Sequence, residues 1–234
     1  MIAIHQSHFF PWVPYFYKIV KADRFVILDD VQYEKNGIQN RNMIKTPQGE
    51  HWFTLPVSVK MGEKINEVKV NDLANYDKLL KTLEANYKKA PYFTEVFESL
   101  KGVFEAKYEG LHAFNTEALQ KVLALMNFEP KVDYSSSFET KEKKDDLVIE
   151  IIKHFGEKEY LSGRGALEYM DLNKFKDAGI DVYVMNFKYR PYKQLWEKQA
   201  SFVPNLSILD LLFNDKDHVL DYIRECGDLE KVTG

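Results

Sequence analysis

Two histidines lie three residues apart near the start of the chain, in the segment HQSH that follows an apolar run at residues 2–4. Such a run is typical of a buried strand, so His5, Gln6 and His8 are expected at the end of that strand. An imidazole donates, accepts or carries a proton near neutral pH, which suits charge that develops on a phosphate or a leaving group. In the alternative, structural interpretation, one histidine caps the next helix and the other packs against Trp12.

A second polar cluster closes the next apolar run, in the segment RFVILDDVQ. Asp29, Asp30 and Gln32 follow this run, and a carboxylate there can bind a divalent metal ion, act as a base, or hold a substrate amine or hydroxyl. Successive residues of a strand point to opposite faces, so only one of the two aspartates would reach a site. A solvent-facing strand end is the alternative interpretation.

The segment NRNMIK places Asn40, Arg41, Asn42 and Lys45 in a predicted polar loop. The fork of an arginine and the amide groups of asparagines recognise phosphate or carboxylate well. An exposed polar loop without a ligand explains so short a motif equally well.

In the segment YLSGRG, two glycines flank Arg164, directly after a short predicted strand. Ser162, Gly163 and Arg164 would give this strand end a backbone that approaches a phosphate closely. It is not a P-loop, because no Gly-Lys-Ser/Thr follows. Ligands of open α/β sheets bind outside the carboxyl ends of the parallel strands, so the clusters after the three strands are expected to face one site.

The elements that must position these groups alternate between strand and helix at both ends of the chain. This alternation predicts a Rossmann-like layered α/β domain with a mainly parallel sheet. A strand at residues 2–4, a helix at 15–21 and a strand at 25–28 form a βαβ unit. The segments HWFTLPVSV and INEVKV predict an antiparallel pair on a sheet edge, because Pro56 suits an edge.

Three consecutive helical patterns, with no strand between them, cover residues 72–128. Ala90 and Pro91 mark the break between the first two. We expect these residues to form a helical insertion or subdomain within a single α/β domain that spans residues 1–234.

Composition limits the classes of function. The formal net charge of −4 gives no general attraction to nucleic acid or anionic lipid, and the one cysteine, Cys226, excludes an internal disulfide. No secretion signal opens the chain, and no apolar segment approaches the roughly 20 residues that span a bilayer. We expect a soluble cytoplasmic protein with small-molecule partners. Among its abundant aromatic residues, Trp12 and Tyr15 are those expected to touch a ligand.

These segments, taken together, resemble the WbqC-like protein family. The resemblance rests on HQSHFFPWVPYF, KADRFVILDDVQYEKNG, NRN, WFTLPV, YLSG and LSILDLLFN, which occur in this order over nearly the full chain. The chain departs from the family pattern at Ser7 and His8, where Pro-Asn is usual, and at Pro14, where Gly is usual. The shared positions are His5, Gln6, Pro11, Trp12, Tyr15, Asp23, Asp29, Gln32, Asn40, Arg41, Asn42, Ser162, Gly163 and Asp210.

The resemblance implies a transferase of surface-polysaccharide (O-antigen) biosynthesis that moves an acyl or aminoacyl group, glycine in particular, to a nucleotide-linked amino sugar. The HQSH segment is also similar to the HxGH pattern of nucleotidyltransferases, with Ser7 in place of glycine, which makes a nucleotidyltransferase-like topology and the use of ATP with Mg²⁺ an expectation. In this hypothesis His5 stabilises phosphate charge, Arg41 and Lys45 hold a phosphate or diphosphate, and Asp29 binds the acceptor amine or Mg²⁺. The alternatives are a glycosyltransferase that uses a sugar nucleotide and a non-catalytic nucleotide- or sugar-binding module.

Overall fold

The computed structural model describes residues 1–198 and 201–233. Its strands are β1 (Ile2–Gln6), β2 (Arg24–Leu28), β3 (Arg41–Thr46), β4 (Gly49–Thr54), β5 (Val57–Ser58), β6 (Lys69–Val70), β7 (Val132–Tyr134), β8 (Glu159–Gly163), β9 (Asp181–Phe187) and β10 (Gly227–Lys231). Its α-helices are α1 (Val13–Lys21), α2 (Ala74–Tyr87), α3 (Phe93–Glu105), α4 (Leu111–Leu125), α5 (Lys144–His154), α6 (Leu172–Asp177), α7 (Ile208–Asp215) and α8 (Val219–Glu225).

A six-stranded sheet in the order β10-β9-β8-β1-β2-β7 lies at the centre. Neighbouring strands run parallel except β10, which pairs antiparallel with β9 at one edge. Parallel strands covered on both faces need apolar residues throughout, and β1 meets this need because Ala3 packs into one core while Ile2 and Ile4 pack into the other. The protein is therefore a layered, Rossmann-like α/β domain, which confirms the predicted fold class.

Helices cover both faces of the sheet. Apolar residues of α1 to α4, α7 and α8 share one core, and those of α5 and α6 pack against the opposite face. The chain leaves β1 through α1 on the first face and leaves β8 through α6 on the second. The strand order therefore reverses between β1 and β8, and such a reversal opens a crevice at the carboxyl ends of the two strands.

The three helices predicted between residues 72 and 128 are present as α2, α3 and α4, with Ala90 and Pro91 between the first two. Their apolar faces pack with Phe9 and Phe10 into the same core as α1. We propose, following the sequence pattern, that residues 72–128 are a helical insertion within a single domain of residues 1–234.

The segment NRNMIK is not a loop, and that prediction was wrong. Its residues from Arg41 onwards lie in β3, which pairs antiparallel with β4 as a hairpin. Along its first four residues, the partly exposed Arg41 and Met43 alternate with the buried Asn42 and Ile44. Because two of the buried positions in the strand hold Asn42 and Lys45, polar side chains concealed the two-residue period that identifies a strand.

The antiparallel pair predicted for HWFTLPVSV and INEVKV is present only as a short ladder. Val57 pairs with Val70 and Ser58 with Lys69, in a two-stranded sheet separate from the main one. Residues Ile65–Glu67 form a 3₁₀ turn instead of continuing the strand. The antiparallel edge strand of the main sheet is β10, whose sequence GDLEK is too polar to indicate a strand.

Candidate functional site

A cleft of about 1400 Å³ opens at the carboxyl ends of β1 and β8, where the strand order reverses. His5 and Gln6 from β1 and Ser162 and Gly163 from β8 line it. Two of the polar strand ends recognised in the sequence therefore face one cavity, at the position where open α/β sheets bind their ligands.

The two histidines of the HQSH segment lie in contact, with 4.5 Å between their ring centroids. Nδ1 of His5 is 3.3 Å from the backbone oxygen of Gln6, which can only accept, so Nδ1 carries the proton and Nε2 of the neutral ring keeps its lone pair. Burial, with the nearby Lys18 adding to it, lowers the pKa of His5 well below its ordinary value and that of His8 to about 3. Both rings are therefore neutral at pH 7, and His5 is the one that lines the cleft.

Gln6 is held from two sides. Nε2 of Gln39 donates to Oε1 of Gln6 at 2.9 Å, and the Tyr15 hydroxyl donates to the backbone oxygen of Gln6 at 3.2 Å. Gln39 is itself buried and accepts from the backbone N–H of Glu34 at 2.8 Å. Tyr15 is buried behind the cleft and fixes its wall, whereas the half-buried Trp12 lines the cleft directly.

A sharp turn carries the chain from His8 to Trp12. Phe10 adopts a φ of 39°, in the left-handed region that residues with a Cβ atom rarely occupy. Its backbone oxygen accepts hydrogen bonds from Nδ2 of Asn42 at 2.8 Å and from Oγ of Ser207 at 2.9 Å. Asn42, predicted to bind substrate, is thus a buried support of the turn that precedes α1.

Lys18 lines the same cleft from α1 and was missed by the sequence analysis. The residue is only 2% exposed, and its Nζ has neither a hydrogen-bond acceptor nor an ion-pair partner among the described residues. Burial lowers the pKa of Lys18 to about 7. The sequence shows only the apolar neighbours Tyr17 and Ile19; the structure shows that residues 13–19 of this helix are all buried and that Pro14, four positions before Lys18, also lines the cleft.

On the β8 side, the rim of the cleft carries an arginine that is paired with other side chains of the protein. Ser162 is buried at the strand end, and Arg164 stands at the exposed rim. Nε of Arg164 donates to Oδ1 of Asn186 at 2.8 Å, and the guanidinium also pairs with Glu230. The charge of Arg164 is thus already engaged by the protein's own side chains.

At the end of β2, Asp29 forms a saturated hydrogen-bond centre that does not line the cleft. The residue is 2% exposed. Its carboxylate accepts from the backbone N–H of Ser136 at 3.0 Å, from Oγ of Ser136 at 2.7 Å and from Nδ2 of Asn66 at 3.3 Å. Oγ of Ser135 at 3.2 Å and Nε2 of His112 at 3.6 Å complete its surroundings.

Asp30 and Gln32, which follow Asp29 in the chain, also contact other residues of the protein. Asp30 accepts a hydrogen bond from Oγ of Ser135, and its carboxylate is 3.8 Å from Nζ of Lys64. Gln32 is exposed and forms an isolated β-bridge with Lys64. Neither aspartate lines the cleft that His5 lines.

The β3–β4 hairpin uses its polar residues within the protein. Asn40 is buried, accepts from the Tyr33 hydroxyl at 2.9 Å, and donates from Nδ2 to the backbone oxygen of Leu55 at 2.9 Å. The Arg41 guanidinium lies 4.3 Å from the centroid of the Trp52 ring, in a cation–π contact. Neither Asn40 nor Arg41 lines the cleft.

Lys45 belongs to a buried hydrogen-bond network that includes Gln194 and Asp210. Its Nζ donates to Oε1 of Gln194 at 3.1 Å and to the backbone oxygen of Ser201 at 3.0 Å. Nε2 of Gln194 donates to Asp210 at 2.9 Å, and the Tyr87 hydroxyl donates to the same carboxylate at 3.0 Å. This network joins the hairpin to α7 and leaves Lys45 away from the cleft.

The structure thus divides the residues predicted from the sequence into two groups. Those that line the cleft are His5, Gln6, Trp12, Ser162, Gly163 and Arg164. Those that lie outside its lining are His8, Tyr15, Asp29, Asp30, Gln32, Asn40, Arg41, Asn42 and Lys45. The roles assigned to these residues stay predictions.

Two further observations concern the described residues only. No group of three or more His, Cys, Asp or Glu side chains among residues 1–198 and 201–233 is arranged to hold a metal ion. Within the same ranges, no helix has both the length and the apolar character needed to cross a membrane. Binding of Mg²⁺ at Asp29 stays a prediction.

Comparison with known proteins gives the class of protein. The model of the WbqC-like protein family matches residues 6–222, and the chain belongs to that family. It is 35% identical, over 229 residues, to the uncharacterized protein Rv1507c of Mycobacterium tuberculosis, an alignment that covers 96% of this chain and 98% of the relative. No solved structure gives a significant match. Membership of the family suggests a role related to polysaccharide biosynthesis.

Proposed function

We propose that the protein transfers an acyl or aminoacyl group, glycine in particular, to the amine of a nucleotide-linked amino sugar during surface-polysaccharide synthesis. The observation that carries this proposal is the cleft at the reversal of strand order, where His5 and Gln6 face Ser162 and Gly163. Nucleotide ligands bind at this position in open α/β sheets. Family membership supports the polysaccharide context, and the transferred group is our inference.

The size and lining of the cleft suit two substrates. Its volume of about 1400 Å³ exceeds the roughly 300–1,000 Å³ typical of a pocket for one small molecule. Trp12 offers an aromatic face for a base or a sugar ring, and Gln6, fixed by Gln39, offers an amide for hydrogen bonds to hydroxyl or carbonyl groups. We infer that a nucleotide-linked sugar and a small acyl donor bind side by side in this cleft.

Amide formation requires an activated acyl group and a neutral amine. The acceptor nitrogen attacks the carbonyl carbon of the donor, the bond from that carbon to the leaving group breaks, and the leaving group departs with the electron pair. The nitrogen must then lose a proton. His5 is positioned to take this proton, because its Nδ1–H points to the Gln6 backbone oxygen and leaves the lone pair of Nε2 free; its lowered pKa makes it a weaker base than an ordinary histidine.

Whether ATP is consumed depends on how the glycyl donor is activated. If glycine enters as the free amino acid, its carboxylate oxygen attacks the α-phosphorus of ATP, pyrophosphate leaves, and glycyl adenylate becomes the donor. If glycine enters on a carrier, no ATP is consumed. His5 acts in the same way in both cases, on the amine of the acceptor.

The experiment combines the protein with glycine, ATP and a panel of UDP- and dTDP-linked amino sugars, with mass spectrometry as the readout. We expect one acceptor to gain one glycyl residue, and we expect the His5→Ala variant to lose this activity. The exposed His51 is the matched control, and His51→Ala should keep it. Transfer of the sugar with release of the nucleotide would make the protein a glycosyltransferase, and ligand binding without any product would make it a binding module; either result overturns the proposal.

A further inference from the structure

We propose that Lys18 is the anion-binding residue of the cleft and that its ammonium group holds a phosphate of the ligand. This inference deepens the proposed function, because it names the residue that would anchor a nucleotide-linked substrate. It replaces Arg41 and Lys45, the cations predicted for this role, with one that the structure brings to the cavity.

The first argument is geometric. Lys18 is 2% exposed, yet it lines the cleft and sits beside His5 and His8 at the end of β1. A buried ammonium group is normally paired, because an isolated charge in a poorly solvated position is unfavourable. Lys18 has no such partner among the residues that the structure describes. A bound anion would supply the missing partner.

The second argument is the charge distribution around Lys18. His5 and His8 are neutral and contribute no counter-charge. The other titratable groups that line the cleft are Glu34, Lys144, Asp145, Tyr160, Arg164, Tyr169, Lys188, Tyr189 and Asp228. None of its carboxylates pairs with Lys18, and Arg164 is already paired with Glu230. Lys18 is thus a buried cationic group of the lining that has no counter-ion among the described residues.

The third argument favours phosphate over carboxylate. The ammonium group of a lysine is a compact point charge that binds phosphate oxygens without a fixed geometry, so the position of Lys18 decides which anion it holds. The carboxyl end of a strand at a reversal of strand order is also where doubly wound sheets hold the phosphates of nucleotides. The anion that fits is therefore a phosphate or a diphosphate diester.

Binding of such an anion changes the protonation of Lys18. Without a ligand, burial holds its pKa at about 7, so only part of the population is charged at neutral pH. An anion that prefers the charged form tenfold raises this pKa by about one unit. The ligand should therefore bind together with the uptake of a fraction of a proton, which a merely structural lysine would not show.

The experiment follows the side-chain nitrogen of Lys18 by NMR in protein labelled with ¹³C,¹⁵N-lysine. The signal is assigned by its loss in the Lys18→Met variant, and its pKa is measured alone, with sulfate, with UDP-N-acetylglucosamine and with glycine. Sulfate is a tetrahedral probe that does not titrate in this range. The matched control is Lys21, an exposed lysine of the same helix, which should titrate identically in all four samples.

We expect sulfate and UDP-N-acetylglucosamine to raise the pKa of Lys18 by about one unit or more, and we expect Lys18→Met to weaken sugar-nucleotide binding at least about tenfold while Lys21→Met does not. A pKa of Lys18 that neither anion changes would overturn the proposal. So would a rise with glycine alone, which would assign the site to the carboxylate of the donor. The sulfate measurement needs no transfer reaction, so a protein that binds sulfate at Lys18 without forming a glycyl product would keep the anion site and lose the transferase.

Discussion

The carboxyl ends of β1 and β2 are neighbours in the sheet, and both present buried polar residues, but their hydrogen bonding differs. At the end of β2, the carboxylate of Asp29 accepts from Ser136 and Asn66 and has little capacity left. Near the end of β1, Lys18 has no partner among the described residues, and Nδ1 of His8 is buried without one. The first arrangement holds the fold together, whereas the second leaves the ammonium group of Lys18, which lines the cleft, available to a ligand.

We infer from this difference which of the two polar strand ends binds a ligand. A buried polar group without a partner costs about 1–3 kcal/mol, so a protein that keeps several of them together accepts a loss of stability there. Such groups are expected where a ligand completes the hydrogen bonds. The cleft beside β1 meets this description through the ammonium group of Lys18. At the β2 end the carboxylate of Asp29 is satisfied, although Nδ1 of its neighbour His112 is buried without a hydrogen-bond partner.

The largest expected effect is that of Lys18→Met, which should stabilise the protein while it removes the cation of the cleft. The shift of the Lys18 pKa from its ordinary value of 10.5 to about 7 corresponds to a free-energy cost of the order of 5 kcal/mol at neutral pH. Between pH 7 and 10.5 the unfolded chain holds a proton at Lys18 that the folded protein lacks, so this cost shrinks as the pH rises. Urea denaturation at pH 7 and near pH 10 measures it.

We expect Lys18→Met to be more stable than the wild type at pH 7, by several kcal/mol, and the gain to shrink towards pH 10. The control is Lys21→Met, which should change stability by less than about 0.5 kcal/mol. A Lys18→Met variant that is less stable than the wild type at pH 7 would show that the ammonium group has a partner in the folded protein.

For Asp29→Ala we expect a smaller change in the free energy of unfolding, in the opposite direction: the variant should be less stable than the wild type. Removing this buried carboxylate leaves the donors of Ser136 and Asn66 without an acceptor, which should lower the free energy of unfolding by about 3 kcal/mol. The affinity of the folded protein for UDP-N-acetylglucosamine should stay within about twofold, since Asp29 does not line the cleft. Chemical denaturation and calorimetry give the two values.

The exposed Asp177 supplies the control, and Asp177→Ala should change neither quantity. If Asp29→Ala instead kept its stability and lost affinity, the site would extend to the end of β2, as the sequence analysis predicts, and the contrast between the two strand ends would fail.

The smallest effect at neutral pH is expected for His8→Asn, which introduces the residue usual at this position in the family pattern. The folded-state pKa of His8 is lowered from 6.5 to about 3, so below pH 6.5 the unfolded chain binds a proton that the folded protein does not. Stability is therefore lost as the pH falls through this window. At about pH 4.5 the variant should have gained about 3 kcal/mol over the wild type, relative to the difference between them at pH 7.5.

Urea denaturation of both proteins at the two pH values checks this. Equal pH dependence in the wild type and in His8→Asn would mean that His8 is not buried in its neutral form, and the description of the β1 end would then be wrong.

The sequence was sufficient for the parts of this comparison that depend on local pattern. The apolar runs of β1 and β2 and the helical spacing between residues 72 and 128 predicted those elements, and parallel pairing implied that strand ends meet at one edge of the sheet. Sequence could not show that β8 lies beside β1, because strand order depends on tertiary contacts. Nor could it show that Asp29 is saturated, since its partners are distant in the chain.

Lys18 and the hairpin were missed for related reasons. A lysine in a short helix is ordinarily a solvated residue, and only the packing of α1 shows that this one is enclosed. In β3, Asn42 and Lys45 occupy buried positions, so the strand has the composition of a loop. In both cases burial of a polar side chain, decided by distant residues, overrode the local pattern.

The central claim is that ligand binds in the cleft between β1 and β8 and not at the end of β2 or on the hairpin. A crystal structure of the protein with UDP-N-acetylglucosamine tests this most directly. We predict the diphosphate within hydrogen-bond distance of Nζ of Lys18, with the rest of the ligand along His5, Gln6 and Ser162. A ligand bound instead beside Asp29 or Arg41, with the cleft left to solvent, would contradict the account.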